Sequence, residues 1–152
     1  MMILYPFLII FYLLINPTSA NEASAPVFIH AEGAWVRATE VGNSAAYVKI
    51  VNDGLKSDRL IGAQTDVCKR VELHTHLKEG DVYKMRPIES IEIPTKQTVD
   101  LKEGGLHIML LNILKPLKES EKIKLTLIFE NAGQISIIAE VRKNKHACTC
   151  KD

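Results

Sequence analysis

The chain has 152 residues, with 19 Lys and Arg against 18 Asp and Glu, and 47 % of it is hydrophobic. That length fits one domain with a core of its own, and the near-neutral balance excludes a basic footprint for nucleic acid. Its three cysteines leave at least one thiol unpaired within the chain and exclude a disulfide-stapled scaffold, because a core of this size folds without staples.

Residues 1–20, MMILYPFLIIFYLLINPTSA, contain no Lys, Arg, Asp or Glu. The apolar run from Ile3 to Ile15 has the length of a secretory signal and falls short of the about 20 residues of a membrane span. Thr18-Ser19-Ala20 offers small residues for cleavage, with Ala23-Ser24-Ala25 as a second candidate. The expectation is an exported protein with a signal peptide over 1–20. The amino-terminal region lacks the usual Lys or Arg, which keeps an uncleaved anchor as the alternative. Removing the segment takes Met1 and Met2 with it and leaves only Met85 and Met109.

From Val27 onward the pattern is β. Strands are predicted over Ala34–Thr39, Ala45–Val51, Arg59–Thr65, Lys69–Leu77, Asp81–Ile88, Gln97–Leu101, Leu106–Ile113, Lys122–Glu130 and Gln134–Arg142. Turn signals between these short runs point to a sandwich or barrel. In KIKLTLIF, Ile123, Leu125, Leu127 and Phe129 share one face while Lys122, Lys124 and Thr126 take the other. Asn131-Ala132-Gly133 reads as a three-residue hairpin loop. No long helical period, internal repeat or low-complexity segment is present. The folded domain is placed at 21–145, followed by a short Cys- and His-containing tail over 146–152.

The stretch GGLHIMLLNIL, Gly104 to Leu114, sets a histidine and a methionine two apart inside an apolar strand. Side chains alternate along a strand, so His107 and Met109 are neighbours on one face, with Leu106, Ile108 and Leu110 on the other. Taken alone, the pair reads more readily as a histidine beside a packing methionine. RVELHTHLKEGDVYKMRPI adds a second pair. Glu72, His74 and His76 share a face, and a turn centred on Glu79-Gly80 sets His74 directly across from Met85. Two imidazoles and two thioethers make a neutral donor set that suits Cu(I): soft sulfur selects it, zinc prefers thiolate, imidazole or carboxylate, and calcium and magnesium want oxygen. No cysteine lies within either pair, which argues against a blue-copper electron-transfer centre and for carrying the metal.

From His74 there are ten residues to Met85, then twenty-one to His107, then one to Met109. That spacing, with VELH, MRPIESIEIP and GGLHIMLLNILKPLKE around it, resembles the periplasmic CuA copper chaperones, the PCuAC family. The resemblance runs from about Gly33-Ala34-Trp35 to Val141. It implies an all-β, cupredoxin-like Greek-key β-sandwich with an exposed site, and Cu(I) bound by His74, Met85, His107 and Met109. It further implies a non-enzymatic chaperone that delivers copper to the CuA site of cytochrome c oxidase. The partners implied are the copper ion and the oxidase CuA subunit or another copper-assembly protein, with the membrane met only through the acceptor.

The remaining histidines and cysteines have plainer readings. His76, on the His74 face, is read as a surface residue and as a spare ligand that the family pattern does not need. His30 receives no role. Trp35 and Tyr47 are read as packing residues. Cys68 is read as a small buried hydrophobe. His146, Cys148 and Cys150 form a compact soft-ligand cluster, with incidental thiols on a polar tail as the alternative. Two competing functions follow: a thiol–disulfide reductase acting on the oxidase cysteines through the tail pair, and a structural sandwich without metal. Cys-x-Cys lacks the usual redox spacing, which weighs against the first.

Overall fold

A computed structural model describes residues 28–143. The expected signal peptide over 1–20 and the tail over 146–152 lie outside the described residues. The described chain contains ten strands: β1 Ile29–Arg37, β2 Ser44–Asn52, β3 Asp58–Gln64, β4 Cys68–Glu79, β5 Val82–Ile88, β6 Ile91–Ile93, β7 Gln97–Leu101, β8 His107–Ile113, β9 Lys122–Phe129 and β10 Gly133–Arg142. Hydrogen-bonded neighbours run β5-β4-β8-β2-β1-β10-β9-β3-β6, with β7 paired to β2. All pairings are antiparallel except β1 with β10. The ladder curls until β3 approaches β4 and β6 approaches β2. This closes a cupredoxin-like β-sandwich, as the sequence implied.

Period-two patterning explains the layers. On β9, Ile123, Leu125, Leu127 and Phe129 are buried while Lys122 and Lys124 are exposed. Ala46, Val48 and Ile50 of β2, Ile108 and Leu110 of β8, and Leu73 of β4 complete that core. Strand β2 is buried on both faces near its start, because Ala45 and Tyr47 are covered as well. One face of the β4, β8 and β2 strip therefore meets the core, and the other carries polar chemistry under cover.

Two expectations need correction. Strand β6 is too short to show a period, and its three residues, Ile-Glu-Ile, were missed although Ile91 and Ile93 are buried. The β4–β5 turn is centred on Gly80-Asp81, because Glu79 pairs with Val82. Gly80 has φ +64° and Asp81 is not in the left-handed region. Glycine in the first central position is what a type II′ hairpin turn requires. Moving the turn by one residue changes every cross-strand partner by two. His76, and not His74, faces Met85, while His74 faces Pro87. The side of the sheet is unchanged, because a shift of two preserves alternation.

Candidate metal centre

Three adjacent strands bring the sequence-selected residues to one face. Strand β8 contributes His107 and Met109, which pair with His74 and Glu72 of β4. Strand β5 contributes Met85 opposite His76. On the other side, Ala45 of β2 pairs with Met109. Tyr47 lies with its ring centroid 6.4 Å from that of His107, and Trp35 stacks on Tyr47 at 4.5 Å. The two aromatic residues pack, as expected, and Tyr47 in doing so walls the site, with Trp35 behind it.

The site is less open than the resemblance implied. His107 is 2 % exposed and Met109 9 %, whereas Met85 is 50 % exposed. Donors at depth and one thioether at the lip leave a cavity of about 290 Å³, lined by His76, Met85, His107 and Met109 with Arg37 and Tyr47. His74 is not among its lining residues; its side chain is 12 % exposed beside this cavity.

Each of three imidazoles has one nitrogen occupied. His107 Nδ1 donates to the Gly105 carbonyl at 2.9 Å, and His76 Nδ1 donates to the same oxygen at 3.3 Å. Both rings thereby keep Nε2 as the lone-pair nitrogen. His74 Nε2 donates to the Glu72 carboxylate at 2.9 Å. Its Nδ1 is buried and is the one buried side-chain N or O without a partner among the described residues. Carbonyl or carboxylate acceptance at the far nitrogen fixes the tautomer of metal-binding histidines. Ring centroids lie 5.7 Å apart for His74 and His107, and 5.2 Å apart for His76 and His107.

Burial pushes the His107 pKa below its ordinary value, against the Gly105 hydrogen bond and together with the nearby His76, His74 and Arg37. A neutral imidazole is the form that ligates. Among the described residues, no three His, Cys, Asp or Glu side chains gather as a metal cluster, so a metal held here needs the thioethers. Cys68 is remote from this chemistry. It lies six residues before His74 on β4, about 20 Å along the strand. It is buried, and its thiol donates to the Arg70 carbonyl at 3.3 Å. Burial pushes that thiol up, so it is not poised as a nucleophile. His30 lies on β1, with its imidazole against Glu32 and Asp53 and away from the site. A larger cleft of about 480 Å³ beside Trp35 carries Glu32, Asp100 and Glu103 against Lys49 and Lys102, and no soft donor.

All four residues selected from the sequence come to this face of the sheet, and His76, read there as a surface residue, is half-buried and lines the cavity. The signal was available in Gly80-Asp81, since Gly followed by Asp favours a turn with Gly first. The role of the Gly105 carbonyl was not legible, because a backbone oxygen leaves no trace in composition.

A sandwich with a sulfur- and nitrogen-lined face outside its core defines a soft-metal-binding β domain. Comparison with known proteins makes this specific. Residues 29–141 match the family model described as "Putative lipoprotein LpqE-like", and the chain belongs to this PCuAC-type copper-chaperone family. It is 30 % identical over 110 residues to "Putative lipoprotein Lxx21020" of Leifsonia xyli, over 72 % of this chain. The chain spans 66 % of that relative, just under two thirds. Among solved structures it is similar to the copper-bound PCuAC domain from PmoF2, with TM-score 0.65, 26 % identity, and coverage of 78 % of this chain and 99 % of that one. It is also similar to CuI-DR1885 from Deinococcus radiodurans, with TM-score 0.64, 30 % identity, and coverage of 81 % and 83 %.

Proposed function

We propose that the protein is a copper chaperone that holds Cu(I) with His74, Met85, His107 and Met109 and delivers it, in the periplasm, to the CuA site of cytochrome c oxidase. The observation that carries this reading is the gathering of two methionines and their partner histidines on one face of β4, β5 and β8, with the far imidazole nitrogens already hydrogen-bonded. The two solved neighbours, one titled copper-bound and one titled CuI, support copper as the ion. The relative's lipoprotein name supports export, as does the apolar run over Ile3 to Ile15.

The donor chemistry suits a carrier. Imidazole and thioether are neutral, so the ion is held without added ionic attraction. Cysteine thiolates of an acceptor bind Cu(I) more strongly, so transfer runs downhill. Thioethers form no disulfide, so the donors persist in an oxidising compartment. Met85 at the lip is the donor that an approaching acceptor meets first. No bond of a substrate is made or broken, and the protein acts as a carrier rather than an enzyme.

Copper X-ray absorption on the purified protein tests the reading. The expected spectrum is Cu(I) with mixed nitrogen and thioether-sulfur scattering, and Met109→Leu loses tight binding while the fold persists. Wild-type affinity in Met109→Leu would sink the ligand assignment. Delivery is tested by mixing the Cu(I)-loaded protein with a copper-free oxidase CuA domain. Two transferred Cu(I) ions give the colourless, fully reduced centre, and one-electron oxidation with added ferricyanide then develops the purple CuA absorption; no purple form after oxidation means that no transfer occurred.

A further inference from the structure

The polar face offers five donors, His74, His76, Met85, His107 and Met109, and the proposed set uses four of them. The fifth, His76, is better placed than a surface histidine should be. It sits directly across from Met85. It lines the cavity shared by Met85, His107 and Met109. Its Nδ1 is tied to the carbonyl that also holds His107, so its Nε2 is left as a donor. Its ring is as close to His107 as that of His74. His74, for its part, has a buried and unpartnered Nδ1. A buried acceptor with no donor is costly unless something electrophilic meets it.

We propose that His76 is a copper ligand of this chain, exchanging with His74 at one coordination position. Two overlapping sets result, both using Met85, His107 and Met109. One is completed by His76 in the cavity and the other by His74 against Glu72. The pair sits two apart on one face of β4, about 7 Å along the strand, so the ion passes between them by side-chain rotation and a shift of no more than that spacing. It need not leave the shared donors while it does so. His76 lies nearer the hairpin tip and serves entry and exit; His74 serves retention. The exchange is a ligand substitution at constant Cu(I), with one imidazole nitrogen bonding as the other leaves and no change of redox state. This inference rests on the copper reading above.

The test uses the purified full chain, Cu(I) itself, and His76→Gln, His74→Gln and the double variant. Affinity is read by competition with a chromogenic Cu(I) chelator, and unfolding of each copper-free protein checks the fold. Each single variant is expected to lose about tenfold in affinity or less, and the double variant more than the product of the two losses. In nitrogen-15 spectra of the imidazoles, Cu(I) is expected to shift both His74 Nδ1 and His76 Nε2. The chelator is expected to strip copper more slowly from His76→Gln than from wild type. If His76 is silent in both affinity and nitrogen shift while wild type binds Cu(I), exchange is overturned and the copper reading stands; if His74 is the silent one, exchange is overturned and the four-ligand assignment falls with it. If wild type itself fails to bind Cu(I), the copper reading falls, and exchange with it.

Discussion

Asp58 begins β3, is 2 % exposed, and holds the β9–β10 loop. Its carboxylate accepts the backbone N–H groups of Arg59, Asn131 and Ala132 and the Asn131 side-chain amide. Burial opposes its ionisation, but these hydrogen bonds outweigh burial and hold the pKa below 3.8. Because the folded value is depressed, the stability it contributes is complete above about pH 4 and is lost as pH falls through the lower folded value. Asp58→Asn turns one acceptor into a donor facing an N–H. It is expected to cost about 1–3 kcal/mol in urea unfolding between pH 5 and 8, a gap that narrows below about pH 4. At the same scale, His107 could be selected from sequence by its pairing with Met109. Its burial could not, because cover comes from Tyr47 on a strand far away in the chain.

The β4–β5 hairpin decides which histidine meets Met85. Gly80 sits at φ +64° with open space where a Cβ would be, so the demand for glycine there is torsional and not steric. Gly80→Val is expected to cost about 1–2 kcal/mol, seen as a lower urea midpoint. It is also expected to weaken Cu(I) binding, because the turn sets the His76–Met85 pairing. Unchanged copper affinity in a folded Gly80→Val protein would count against the hairpin as the source of the lip donor. At this scale alternation was legible on β9 and β4: Ile123, Leu125 and Leu127 point inward as the pattern requires, and His74 and His76 share a face. Register was not legible in the same way, since it depends on which turn conformation the loop adopts. Strand β6 escaped notice because three residues carry no measurable period.

Across the molecule, core and chemistry occupy opposite faces of the same strands. On β8, Ile108 and Leu110 face the core while His107 and Met109 face the cavity. Ile108→Ala is therefore expected to cost about 2–5 kcal/mol of stability while the remaining folded protein still takes up Cu(I) in the wild-type ratio. Calorimetry and copper stoichiometry on one preparation check both halves, and a loss of stoichiometry in the folded fraction would mean that the faces are coupled. The sequence by itself determined the β class, the inward and outward sides of strands such as β8 and β9, and a soft-donor set whose spacing matched one family. Those properties are local, because residue type and alternation travel with the chain. Only the tertiary structure decided that His76 faces Met85, that His107 and Met109 are buried, and that one carbonyl, Gly105, orients two imidazoles. The first depends on the conformation that the β4–β5 turn adopts, and the others on where a distant strand comes to rest. That position is set by turn conformation and by the closing of the sheet around its core.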